Sequence, residues 1–313
     1  MKPNRALAIA AFVTVCIVWG TTYLAIRIAV ETIPPVLLTA SRYVFAGLVM
    51  TAVCLARGER LPRDRKTLGN LALIGFLMVG IGNLAVVWAE QWVPSGMAAL
   101  LVATAPFWMA IIEMLRPEGD RLDLQRGVGM LVGFVGVAIL VAPSSIGSHF
   151  DSHFVIGALV IQLGAIGWQL GSVRGKYHVK QVPLMVSASL QMLFGGVITG
   201  IIGFALGEGS RFVVTPRSFA ALAYLAIFGS ILAYSAYVYA LAHMNTTNMS
   251  LYAYVNPVVA VILGWLILKE ELTWVSITAM CVILAGVALV QTARPRKLVA
   301  VAETTVAAEK TAA

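Results

Sequence analysis

The sequence predicts an all-α integral membrane protein of ten transmembrane helices, built as two five-helix repeats of inverted topology. Three observations predict it: a composition too apolar for water, ten apolar runs long enough to cross a bilayer, and a resemblance of the chain to itself. Of the 313 residues, 60% are apolar and only 12% are charged, and the mean hydropathy is +0.89. A soluble domain needs about a quarter of its residues charged, so most of this chain is solvated by lipid. The formal charge of +8 is no nucleic-acid signature, because the basic residues are not grouped on one amphipathic element. Cys16, Cys54 and Cys281 lie in apolar runs. An odd count without C-x-x-C spacing excludes a disulfide framework and a metal cluster.

The elements follow in order. A membrane helix needs about 20 apolar residues, and the runs cover residues 6–29, 35–55, 69–89, 95–115, 126–142, 155–175, 184–206, 219–242, 246–268 and 274–292. Lys2 and Arg5 before the first run imitate a signal peptide, but no A-x-A-like cleavage site follows, so it reads as an uncleaved span. The expected organisation is one membrane domain over residues 1–292, with repeat one at 6–142 and repeat two at 155–292. The Ala-, Thr- and Glu-containing tail 293–313 has no amphipathic period and is expected to be disordered.

Orientation follows from Lys and Arg. With the N-terminus inside, the cytoplasmic set is Lys2, Arg5, Arg57, Arg60, Arg63, Arg65, Lys66, Arg116, Arg121, Arg126, Arg174, Lys176, Lys180, Arg294, Arg296 and Lys297; the opposite side has Arg211, Arg217 and Lys269. Sixteen against three puts both termini in the cytoplasm. The self-resemblance has an offset near 150: Trp19 matches Trp168, Pro106 matches Pro257, and Val135-Gly136-Val137-Ala138 matches Ala285-Gly286-Val287-Ala288. Five helices per copy is an odd number, so the second copy inserts upside down. Inverted repeats are the recurring plan of secondary transporters, with the substrate near midplane between them.

No P-loop, G-x-S-x-G, H-E-x-x-H or paired intramembrane Asp occurs, which leaves no cofactor motif and no catalytic residues. His149 and His153 flank Asp151, but nothing completes a metal-ligand set, so the reading is a solvated loop. Arg42 lies about seven residues into the second span, where an arginine costs roughly 2.5–3.5 kcal/mol. It must face the bundle interior or a wet cavity. Glu90 ends the third span and is its candidate partner, directly or through a substrate, or a coupling residue, with protons as the candidate ion; a structural ion pair is the alternative for both. Trp19, Tyr23 and Arg27 share one helix face. Asn83, Tyr234, Tyr237 and Asn256 are polar groups at membrane depth that need partners. With Trp19, Tyr23, Arg42 and Trp168 they form the candidate substrate-binding set. Pro106 and Pro257 each remove a helix bond and free the carbonyl four residues back, at Val102 and Ala253. A kink that lines a cavity is the reading. Glycines at four-residue spacing (Gly167, Gly171 and Gly175; Gly129 and Gly133; Gly196 and Gly200) are helix-packing faces.

Val18-Trp19-Gly20-Thr21-Thr22-Tyr23 with Arg27, Ser41-Arg42-Tyr43, the stretch Ala89 to Pro106, and Tyr254-Val255-Asn256-Pro257 through Glu270 resemble the EamA-type branch of the drug/metabolite transporter superfamily. The resemblance covers residues 6–292. It implies a ten-helix fold, cytoplasmic termini, and export of metabolites such as amino acids, their derivatives or nucleosides. Glu270 departs from the repeat, since Gly119 stands at the matching position between Glu118 and Asp120. The expected function is a secondary transporter in the inner membrane, ion-coupled or facilitative, working by alternating access on a small-molecule substrate amid lipid. A phosphate-ester or nucleotide-sugar carrier would want more basic residues at the cavity than Arg42. A multispan enzyme would need a His, Asp or Glu cluster that the sequence lacks.

Overall fold

The computed structural model describes residues 5–115, 124–145, 152–179, 181–243 and 252–292. The tail 293–313, His149 and Asp151, and Glu118 to Asp120 lie outside them. The described residues form helices and no strand. Seven helices are long and apolar enough to cross a membrane, and three shorter apolar ones accompany them. In chain order they are α1 (Arg5–Ala29), α2 (Pro35–Ala56), α3 (Arg65–Ala89), α4 (Ser95–Met114), α5 (Leu124–Ser145), α6 (Ser152–His178), α7 (Leu184–Ala205), α8 (Pro216–Tyr224 and onward to His243), α9 (Tyr252–Leu263, then Gly264–Leu268) and α10 (Trp274–Thr292).

Helix starts obey local chemistry. The Asp64 carboxylate accepts from the Thr67 amide at 2.7 Å and caps α3, and four contacts between Thr215 and Ser218 form a capping box on α8. Proline precedes or opens α2, α4, α7 and α8, where its missing N–H costs nothing. Gly58 and Gly207 follow α2 and α7 with φ of 78° and 74°, a left-handed conformation that glycine adopts without strain. They stand 149 positions apart.

Breaks inside helices are paired too. α3 is π-helical over Phe76–Asn83 and α8 over Leu225–Leu232, again 149 positions apart. A further π-helical turn, Gly264–Leu268, ends α9. α4 is interrupted at Ala103 and Thr104, and Pro106 sits in the first turn of the resumed helix. The break therefore comes before the proline, and the carbonyl it leaves for a neighbour is Leu101, which accepts from Gln162 Nε2 of α6 at 3.1 Å. Gln162 Oε1 accepts in turn from Trp108 Nε1 at 2.9 Å and lies 2.8 Å from the Thr104 hydroxyl. Pro257 instead stays inside the continuous segment Tyr252–Leu263.

α2 packs along α7 and α5 along α10. At the first crossing a Cβ on Gly47 would meet the Leu193 backbone, and one on Gly196 the Val44 backbone. At the second, a Cβ on Gly286 would meet the Gly133 backbone, and one on Gly136 would meet Ile283. Each contact recurs with its two residues exchanged, at an offset of 149 in the first crossing and 150 in the second. Among the glycines expected to pack helices, Gly175 has nothing close enough to need one. α6 runs antiparallel to α3: Gly157 lies against Val93 and Ala89, Gly164 against Ala85, and Gly171 against Met78.

Candidate substrate-binding site

Two cavities lie along the bundle, separated by an aromatic layer. The central cavity, about 90 Å³, is lined by Trp19, Tyr23, Arg42, Asn83, Trp168 and Asn256, with Thr22, Tyr43, Gly82, Gly164 and Tyr252 among its other walls. Six of the eight sequence-chosen residues thus meet at one place. Tyr234 and Tyr237 do not line it; they line the second cavity, about 280 Å³, with Ser172, Lys176, Ser187 and Gln191. The first reaches along α1 and α3 toward their C-terminal ends, through Ile26 and Val86. The second lies against Ile74 of α3 and the end of α6 at Lys176, which the antiparallel pairing of α3 with α6 places at the opposite end of the bundle.

Trp19 holds the layer between them. Its indole Nε1 donates to the Gly229 carbonyl at 3.2 Å, within the π-helical part of α8. Its ring lies 5.7 Å from Trp168, 5.0 Å from Tyr237 and 5.6 Å from Tyr252, and Trp168 lies 6.2 Å from Tyr234. Three of these contacts are edge-to-face and the one to Tyr237 is tilted; aromatic pairs of this kind add about 0.5–1.5 kcal/mol each beyond burial. The Asn256 amide, in the orientation that satisfies both neighbours, donates to Cys16 O at 2.8 Å and Tyr252 O at 3.3 Å, tying α9 to α1.

Arg42 is buried, 2% exposed. Its Nε donates to Ser230 Oγ at 2.7 Å, while Nη1 has no partner among the described residues. No salt bridge joins it to Glu90. Asn83 Oδ1 is likewise buried and unpartnered, so a cationic donor and a neutral acceptor both stand open in an aromatic chamber. The counterpart of Arg42 at the 149 offset is Gln191 in the second cavity, whose Oε1 accepts from Tyr234 OH at 2.9 Å and whose Nε2 donates to Ser187 Oγ at 2.8 Å. Sequence reasoning missed Gln191, although the offset that paired Trp19 with Trp168 leads to it. It also missed Tyr252, one turn before Asn256 on the same face. Ser230 and Tyr43 carry no such signal.

The end of the bundle beyond Ile26 and Val86 is stitched by carboxylates. Glu270 accepts from Ser95 N and Ser95 Oγ, each at 2.8 Å, and from Gly96 N at 3.3 Å, capping α4. Glu208 accepts from Leu37 N at 2.9 Å in the first turn of α2. Both acids fall after position 155 and cap helices before 142.

The model of the EamA-like transporter family matches residues 6–142 and, separately, residues 155–292. The chain belongs to this family. Relatives of this EamA-like transporter include the uncharacterized inner membrane transporter YedA of Escherichia coli K12, 38% identical over 275 residues, spanning 88% of this chain and 87% of the relative. The uncharacterized transporter YvbV of Bacillus subtilis is 25% identical over 296 residues, 93% of this chain and 92% of its own. The WAT1-related protein At3g02690, chloroplastic, of Arabidopsis thaliana is 25% identical over 278 residues, 87% of this chain and 66% of that protein. A crystal structure of a 22% identical protein superposes with a TM-score of 0.65, covering 91% of this chain and 96% of the other. It shares the fold.

Proposed function

We propose that this EamA-like transporter spans the inner membrane ten times as two inverted five-helix repeats, with both termini in the cytoplasm. It is not an enzyme. It exports small metabolites that carry a carboxylate, amino acids or their derivatives, by alternating access between the two cavities.

The observation that carries this reading is the relation between the cavities. Thr22, Tyr23, Ile26 and Arg42 line the central one; Gly171, Ser172, Gly175 and Gln191 line the other. Each residue of the second set lies 149 positions after its counterpart in the first. The walls are thus two copies of one half-pathway facing opposite ways, with Trp19 and Trp168, themselves a pair at this offset, between them. The self-complementary crossings of α2 with α7 and α5 with α10, and the twin π-helical segments, support the same axis. The half on the Lys176 side, about 280 Å³, is roomier than the central half, about 90 Å³. The name of the Escherichia coli relative supports the inner membrane.

The substrate class rests on Arg42 Nη1. A buried guanidinium N–H without an acceptor costs about 1–3 kcal/mol, and a carboxylate entering the cavity removes that cost with a charge-assisted bond. One arginine suits a carboxylate better than a phosphate ester. The test is counterflow into proteoliposomes with radiolabelled neutral L-amino acids, beside a comparison of exported metabolites from overexpressing and deleted cells. Absence of counterflow and of any carboxylate metabolite in the efflux difference would falsify the assignment.

A further inference from the structure

Glu90 follows the last residue of α3 and is 0% exposed. Neither carboxylate oxygen has a hydrogen-bond partner among the described residues. None of the neighbouring side chains bonds its carboxylate, and Arg42, whose Nη1 stands open, makes no salt bridge to it. Arg27 turns its Nη1 to the main-chain carbonyl of Glu90, not to its carboxylate. Arg42 donates to Ser230, and Gln91 donates to Trp88 O at 2.9 Å. Glu270 is spent on the α4 N-terminus.

Helical spacing puts Glu90 on the face of α3 that borders the central cavity, one turn past the residues that line it. Leu84–Ala89 is regular α-helix, so Asn83, Val86 and Glu90, at i, i+3 and i+7, share one face. Asn83 and Val86 line the cavity, and Glu90 is one turn beyond Val86. The charged and titratable groups in its electrostatic reach are Tyr23 and Arg27 of α1, Arg42 of α2, and Glu270 of the turn between α9 and α10. From α6, Gly157 packs against Ala89, and His153 stacks on Trp92 at 5.3 Å. A carboxylate buried without donors is too costly to stand as a bare anion. It holds a proton or faces a cation.

We propose that Glu90 is a proton-exchange carboxyl, protonated while the cavity is empty and deprotonated when a substrate's cationic group replaces the proton. This deepens the transporter reading above and rests on it. In the exchange the carboxyl O–H bond breaks and the proton passes to water on the side then open. The carboxylate charge is balanced by the substrate's ammonium, which leaves as a proton returns from the opposite side. One proton thus moves inward for each substrate carried out.

Infrared titration of the purified protein tests proton binding without any substrate. A protonated carboxylic acid band, shifted in D₂O, is expected at neutral pH in wild type and absent in Glu90→Gln; an unchanged band in the variant overturns the proposal. Proteoliposomes with the membrane potential clamped and one pH unit more acid inside test coupling, with radiolabelled L-leucine as the probe. One-for-one exchange drives about tenfold accumulation in wild type, while Glu90→Gln, which loses both the exchangeable proton and the charge that meets the ammonium, is expected to fall to a ratio near one. Equal accumulation by variant and wild type, or wild-type counterflow that ignores the gradient, overturns it. Should Glu90→Gln fail to fold, Glu90→Asp must keep gradient-driven uptake with a displaced pH profile; an unmoved profile overturns it. Failure of wild-type counterflow itself falls on the substrate class, and the infrared band still decides the proton site.

Discussion

Replacing Arg42 by Gln tests the site most directly, because gains and losses can be worked from its surroundings. The substitution removes a charge-assisted bond to Ser230 at 2.7 Å, worth about 1.5–3 kcal/mol. It also removes a buried, unpartnered Nη1, which relieves about 1–3 kcal/mol, and it takes a charge out of the bilayer. These terms oppose one another at similar size, so folded protein in the membrane is expected near the wild-type amount. Transport is not compensated. Loss of one charged hydrogen bond to a substrate carboxylate raises KM by about 10- to 150-fold. Arg42→Lys recovers only part of this, since an ammonium cannot reproduce the bidentate geometry of a guanidinium. The assay pairs counterflow kinetics in proteoliposomes with abundance by fluorescence-detected size exclusion. Normal abundance with a KM within about threefold of wild type refutes the reasoning. Collapse of abundance in both Arg42→Gln and Ser230→Ala makes the arginine a structural tether instead.

Four further outcomes are expected. Glu270→Ala strips three hydrogen bonds from the α4 N-terminus and costs about 2–3 kcal/mol, read as a lowered Tm in detergent; Glu270→Gln recovers part, and an unchanged Tm in the Ala variant refutes the capping role. Gly47→Leu and Gly196→Leu force a side chain onto backbone at equivalent points and each cost more than the usual 1–3 kcal/mol of overpacking; tolerance of either, measured by the yield of monodisperse protein, contradicts the crossing. In a background lacking Cys16, Cys54 and Cys281, Tyr237→Ala speeds labelling of Thr22→Cys by a thiol reagent added from the cytoplasm, because it opens the aromatic layer; equal rates show that the layer is not the barrier. Reporter fusions at Lys297 report cytoplasm and fusions within residues 143–154 report periplasm, and periplasmic activity at Lys297 sinks the ten-span topology.

The helices were legible because lipid imposes a crude rule, about twenty apolar residues per crossing, and Pro34, Pro94 and Pro183 punctuate the runs. The cavity was legible for a different reason: a polar group at membrane depth, such as Arg42 or Asn83, is too costly to point at lipid. That argument locates residues near an interior but cannot say which interior. Tyr234 therefore looked equivalent to Asn83, although the aromatic layer puts them in different chambers. A direct Arg42–Glu90 pair is not made for a related reason, since depth along two helices says nothing of which neighbour a guanidinium meets; a serine on α8 takes the Nε bond. The Glu270 cap was out of reach, because it joins a turn to a helix start 175 positions away, and periodicity reports only local order.

The twin π-helical segments bear on how Asn83 and Tyr234 could move. A π turn holds one residue more than the α turn it replaces, and its hydrogen bonds are easily exchanged for α ones. Shifting the wide turn by one residue along α3 spins every side chain it passes by about 100° without parting the helix or dragging its ends through the membrane. Asn83 closes the segment of α3, and Tyr234 stands two residues past that of α8. A rotation of this kind in one helix would turn Asn83 away from the central chamber, and in the other would carry Tyr234 off Gln191. Each chamber would thus have its own dial, set by where a single surplus residue resides.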